Sequence, residues 1–409
     1  YYTSDKISSK KGMQGATAYT EDMAVQHVLL NVDLADMVST TLRSGYVPYT
    51  YKGTTYYFQD MIALVQTMRH LNGWDNDNPY GWHNRSITLV LLMSWDDELS
   101  YLIHPAARKK GAASYYALNM QDENARNTFE ALFCYMGEKL GTEKSRVSNW
   151  TLGNEVNSCK EWNYSGSISL SECVANYAQA FQLLYQGVRR TSSTSRVFIS
   201  LDHCWTASVA GHSGKEFLDQ FASYMNQTAP SMEWNVNYHP YSQPLTRTAF
   251  WSDNSNTTSS SSTKYISMKN IQVLTDYLGS LESQYGKSSG SIRVILGELG
   301  YSAVQGNSSA EAAQAAALGY GYYIAMFNTR IDAYIARAYL DDPSEVSSGL
   351  YLGVMSKNDV KKQSYDVYKY LDTNRSLEFM NKYLSTIGIS SWESAIAGFN
   401  PGALPSVDF

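Results

Sequence analysis

Trp150-Thr151-Leu152-Gly153-Asn154-Glu155-Val156-Asn157 is the stretch on which the reading of this chain turns. It begins as a strand: Val147, Trp150 and Leu152 are residues that a buried, pleated ribbon favours. It ends in Gly-Asn-Glu, where a turn starts and a carboxylate stands at the strand's C-terminal tip. Further along, Arg293-Val294-Ile295-Leu296-Gly297-Glu298-Leu299-Gly300 repeats the design: an apolar run, then Gly, then Glu. Either glutamate alone would read as a solvated loop carboxylate. Two of them, each at the end of an apolar strand in an alternating chain, form a pair suited to acid and nucleophile work.

Strand-length apolar runs recur on both sides of this stretch. They fall at 27–32, 87–93, 115–118, 147–152, 196–201, 233–238, 294–298 and 331–339. Helical spacing fills the intervals at 59–71, 123–140, 215–226 and 268–285. Ser169-Leu170-Ser171-Glu172 matches a capping box that opens a helix to about Arg190. Ser308-Ser309-Ala310-Glu311 matches a second, before an Ala-rich helix to about Asn328. Between Tyr46 and Phe58, aromatic and polar residues alternate around Lys52-Gly53, the signature of a hairpin inserted after the first strand. Eight near-continuous apolar strands alternating with helices predict parallel strands buried on both faces. The fold expected is α/β, a single (β/α)8 TIM barrel over residues 1–409, with an irregular lead-in at 1–23 and a Pro/Gly-rich flexible tail at 400–409. An open doubly wound sheet would want a Gly-rich phosphate loop after its first strand, and Asn31-Val32-Asp33-Leu34 offers none.

Composition narrows the function. Charged residues make up only 17% of the 409, while tyrosine reaches 33 and tryptophan nine, so aromatic faces are plentiful for a core or for stacking on sugar rings. The net charge of −6 and the lack of any long basic run point away from nucleic acid and anionic membranes. No apolar run reaches the ~18 residues of a membrane span. Few lysines among many Ser, Thr, Asn and Tyr suit an extracellular, secreted protein. The cysteines Cys134, Cys159, Cys173 and Cys204 form no metal-binding spacing. At most Cys159 and Cys173, flanking one polar loop, could pair.

The polar residues collect at strand C-termini, where barrel enzymes keep their chemistry: Trp95, Asn154, Glu155, Asp202, His203, Trp205, His239, Tyr241 and Glu298. This set resembles clan A of the glycoside hydrolases, the retaining (β/α)8 glycosidases. The resemblance rests on Asn154-Glu155 at the fourth strand, His239-Pro240-Tyr241 at the sixth and Glu298 at the seventh. Trp150 to Asn157, followed by Trp162-Asn163-Tyr164-Ser165-Gly166, looks like a poorly characterised bacterial glycosidase-like family. Two features depart from the clan: strand two ends Met93-Ser94-Trp95 without the early Arg, and strand eight ends Arg337-Ala338-Tyr339 where a Trp is usual.

The resemblance implies that Glu155 is the acid/base and Glu298 the nucleophile of a retaining double displacement on a poly- or oligosaccharide. Tyr241 and His239 would support Glu298, and Asn154 would bind the sugar's 2-substituent. Asp202, His203 and Tyr339 would line the pocket, and Trp95 and Trp205, with Trp162 and Trp251, would offer sugar platforms. The expected partner is a carbohydrate substrate; no cofactor, metal, nucleic acid or membrane is implied, and a monomer is expected. A non-catalytic glycan-binding protein on the same barrel, or a transglycosidase, would share most of these residues.

Overall fold

The computed structural model describes residues 7–74 and 85–407; residues 1–6 of the expected lead-in and 408–409 of the tail lie outside them. Eight strands form a closed barrel: β1 (Lys11–Gln14), β2 (His27–Asp33), β3 (Ser86–Leu92), β4 (Asn149–Leu152), β5 (Arg196–Leu201), β6 (Asn235–Tyr238), β7 (Val294–Leu299) and β8 (Ile331–Ala336). Their order is β1-β8-β7-β6-β5-β4-β3-β2. The (β/α)8 barrel read from the sequence is therefore the fold.

Two strands differ from the expectation. Lys11-Gly12-Met13-Gln14, inside the supposed lead-in, is the first barrel strand, paired in parallel with β8 and with β2. Its sequence hides it, because Lys and Gly are poor strand formers. Gly12 is there for closeness: a Cβ would stand 2.8 Å from both His27 Cβ and Ile335 Cγ1. Lys11 is fully buried, its ammonium 2.5 Å from Asp372 Oδ1 and bonded to the Lys369 carbonyl. The apolar run at 115–118, by contrast, joins no barrel strand. Its backbone is satisfied by Met93 and by the loop at Tyr164, through single bridges. The missed strand and the surplus one cancel, so the strands bearing Glu155 and Glu298 keep their places as fourth and seventh.

The chain divides into two compact units. The first holds Leu30–Asp202 and Thr206–Asn237. In it, Tyr46–Tyr51 pairs antiparallel with Thr54–Gln59 across Lys52-Gly53. Both turn residues have positive φ, 49° and 82°, as a two-residue hairpin turn requires. This ribbon follows β2, the second barrel strand. The helices Glu123–Leu140 and Leu170–Arg189 cross at two glycines: a Cβ on Gly187 would lie 2.6 Å from the Phe133 carbonyl carbon, one on Gly137 2.4 Å from the Gly187 oxygen. The capping box at Ser169 and Glu172 forms as read.

The second unit holds Asp5–Leu29, His203–Trp205 and Tyr238–Phe409. Here the Ala-rich helix Ser308–Met326 is capped by Asn307, not Ser308; Glu311 turns instead to the backbone N–H groups of Gly306 and Gln363. Lys10 closes the other end of that helix on the carbonyls of Ala325, Met326 and Asn328. The Ser/Thr/Asn-rich segment 252–263 is pinned by Asn270, whose amide donates to Thr258, Thr263 and Tyr265. All four cysteines are buried free thiols, so Cys159 and Cys173 are not bridged. Among the described residues no helix is long and apolar enough to cross a membrane.

Candidate active site

Glu298 lies near the C-terminal end of β7, its side chain 22% exposed. Three strand ends of the second unit converge on it. Tyr241, after β6, donates its hydroxyl to Oε1 at 3.0 Å. Gln14, the last residue of β1, donates its amide to Oε2 at 3.2 Å. Arg337, directly after β8, brings Nε to 3.6 Å from Oε1. Burial would push the Glu298 carboxyl up. The positive charges of His239 and Arg337 and the bonds from Gln14 and Tyr241 outweigh it and hold the carboxyl below its ordinary value. Tyr241 is 8% exposed, and burial, with Glu298 beside it, drives its phenol well above the usual range, so it stays a donor. His239 is 2% exposed, two residues before it. Beyond Arg337 lies Glu345, on the short helix Pro343–Ser347, with Oε1 3.1 Å from Arg337 Nη2.

The remaining candidates of this unit are placed otherwise. Tyr339 stacks on Tyr19, centroids 4.4 Å apart and planes 4° off parallel, and its hydroxyl donates to Asp22 at 2.7 Å. His203 Nε2 meets Gln243 Oε1 at 3.0 Å, with the ring stacked on Tyr265. Trp205 corrects the platform reading: it is fully buried, edge-on to Tyr277, with its indole N–H on the Ser261 carbonyl, and it has no open face for a sugar.

In the first unit, β4 ends at Leu152 and the chain turns through Gly153 at φ +73°, where a Cβ would sit 2.7 Å from Val156. Glu155 follows at φ +42°, left-handed and sterically costly for a glutamate. Bonds from both sides impose that conformation. Its N–H donates to Ser200 Oγ at 2.9 Å, and its carbonyl accepts from Ser158 N–H at 2.7 Å. Next in line, Val156 N–H donates to the Ser200 carbonyl. Glu155 in this turn is partly exposed. Asn154 beside it is also partly exposed, and its amide makes no hydrogen bond among the described residues.

Asp202, after β5, is buried and exchanges two bonds with Asn157: Asn157 Nδ2 to Asp202 Oδ1 at 2.7 Å, and Asp202 N–H to Asn157 Oδ1 at 3.1 Å. Asp202 thus buttresses the turn that carries Glu155. Trp95, after β3, is partly exposed, held by Asp97 Oδ1 at 2.7 Å and set edge-on against Tyr116. Trp162 lines a small internal cavity of about 20 Å³ with Gly153, Leu152 and Tyr177, room for about one water.

Sequence reasoning did not find Gln14, Glu345 or Asn157, and noticed Arg337 only as a departure from a pattern. Gln14 carried no signal, because its strand was unread. Asn157 stood in the opening motif itself, and its role needed Asp202 as a neighbour. Among the described residues no group of three or more His, Cys, Asp or Glu is arranged to hold a metal ion.

A family described as "Family of unknown function (DUF5722)" matches residues 3–395. Among curated proteins no match is found. Of solved structures, a hyperthermophilic β-glucosidase from Pyrococcus furiosus is similar at 14% identity and TM-score 0.55, over 90% of this chain and 86% of that one. A glucosidase from Croceicoccus marinus is similar at 11% identity and TM-score 0.52, over 88% of this chain and 67% of that one. At these identities the likeness is one of fold.

Proposed function

The chain belongs to the family of unknown function DUF5722, and from its site we propose that it is a glycoside hydrolase of the retaining kind, acting on a poly- or oligosaccharide. The observation that carries the reading is the setting of Glu298. A half-buried carboxylate at the end of a barrel strand is kept ionised by a tyrosine, an amide, an arginine and the neighbouring His239. Unlike the buried structural carboxylate Glu282, Glu298 stands at a strand end with its side chain 22% exposed, charged and within reach of a substrate. That the similar solved structures are named glucosidases supports the same reading.

In the proposed reaction Glu298 attacks the anomeric carbon. The bond to the leaving oxygen breaks, and Glu155 passes its proton to that oxygen. Water then attacks the glycosyl-enzyme, gives a proton back to Glu155, and Glu298 leaves as carboxylate. Asn154, with its amide uncommitted, bonds the substituent at the sugar's second carbon. Trp95 offers a partly exposed ring beside the sugar.

The test is hydrolysis across a panel of aryl glycosides and of plant and microbial polysaccharides. Proton NMR of the first product should show the anomeric configuration retained. Tight glycan binding without release of any reducing end would leave the protein a binding module. Transfer to sugar acceptors in place of water would make it a transglycosidase.

A further inference from the structure

Arg337 is held from two sides by carboxylates, and the two contacts are unequal. Its Nη2 is 3.1 Å from Glu345 Oε1, within hydrogen-bond reach, while its Nε stops 3.6 Å from Glu298 Oε1. A free arginine beside a carboxylate closes on it as a fork, with two bonds of about 2.7–2.9 Å. Such a fork would occupy both Glu298 oxygens. Here it does not form, although the guanidinium is near enough to swing.

We propose that Glu345 is a positioning residue that holds the Arg337 guanidinium back from Glu298, so that the carboxylate gains its charge yet keeps a lone pair for attack. The second half of that statement rests on the glycosidase reading; the first does not. Oε1 of Glu298 is taken by Tyr241, and among the described residues Oε2 receives only the longer contact from Gln14. Glu345 is well placed to compete. It is 19% exposed, fixed by its backbone carbonyl to the N–H groups of Ser348 and Leu350, and its Oε2 is buried without a hydrogen bond among the described residues. The charged and titratable groups around the pair are His239, Tyr241 and Arg337 at Glu298, and Arg337, Glu298, Asp342 and Asp341 at Glu345. Burial, with the neighbouring carboxylates, pushes the Glu345 carboxyl up against the pull of Arg337, so Arg337 is its main support as an anion.

The experiment titrates the Glu298 carboxyl by carbon NMR in the full chain, labelled at glutamate, and needs no substrate. In Glu345→Ala the guanidinium closes on Glu298, so its midpoint falls by about one pH unit. At the same time kcat/KM on an aryl glycoside drops at least about tenfold. Glu345→Gln, whose amide oxygen still accepts the Nη2 bond, keeps the rate within about threefold. Arg337→Ala raises the midpoint, and adding Glu345→Ala to it lowers the midpoint only by the small amount that loss of a neighbouring negative charge gives, well short of the fall in the wild-type background. A midpoint that stays or rises in Glu345→Ala, or a fall just as large in the Arg337→Ala background, overturns the proposal. If the midpoints move as stated while the wild-type chain cleaves no glycoside, the positioning role stands and the glycosidase reading fails.

Discussion

The hydroxyl of Tyr241 donates to Oε1 of Glu298 at 3.0 Å, from a tyrosine 57 residues earlier in the chain. Because the acceptor is charged and half-buried, this bond belongs to the stronger class, worth about 1.5–3 kcal/mol. It favours the ionised carboxyl, so removing it raises the Glu298 midpoint. Tyr241→Phe should therefore move the acid limb of kcat/KM to higher pH by about one to two units, the energy divided by 1.36 kcal/mol per unit. A pH–rate profile checks this, and an unmoved limb would detach Tyr241 from the chemistry.

The two glutamates should fail differently. Glu298→Ala removes the covalent step and should abolish turnover on every substrate. Glu155→Ala should spare activity on aryl glycosides with good leaving groups, which need little protonation, and added azide should rescue it as a glycosyl azide of retained configuration. Equal loss in both variants, without rescue, would count against the assigned roles.

Glu155 pays for its place with a left-handed backbone, a cost of order 1 kcal/mol that glycine does not bear. Glu155→Gly is expected to leave thermal stability unchanged or slightly higher, while general-acid activity is lost. Calorimetry beside a rate assay separates the two. A marked fall in Tm would show that the side chain is held for stability.

Glu282 gives a pH prediction away from the site. It is 2% exposed, forms two bonds with Arg330 at 2.6 and 3.1 Å, and accepts the N–H groups of Ile292 and Gly290. Burial alone would raise its carboxyl, but these partners win and hold it below the ordinary value. Its contribution to stability is thus fully present above the unfolded value of about 4.3 and is lost as pH falls through the lower folded one. Glu282→Gln should cost about 3–5 kcal/mol near neutral pH, and less as the solution is acidified below pH 4. Urea unfolding at a series of pH values measures it; a pH-independent difference would exclude the linkage.

The sequence by itself determined the strand-and-helix alternation, because burial on both faces writes a parallel strand as a continuous apolar run. It also determined which polar residues end those runs, and so named Glu155, Glu298, Asn154, His239 and Tyr241. Those are local facts, legible along a few residues. Only the tertiary structure decided that Lys11–Gln14 is a strand, since its pairing with β8 and β2 and the ion pair of Lys11 with Asp372 overrule its propensity. It likewise moved Trp205 from platform to core, joined Asp202 to Asn157, and brought Gln14 onto a carboxylate 284 residues away. Glu345 became visible only through Arg337. The neighbours of a charge, which set whether it stays ionised, are chosen by closure of the barrel, and no window of sequence contains both partners.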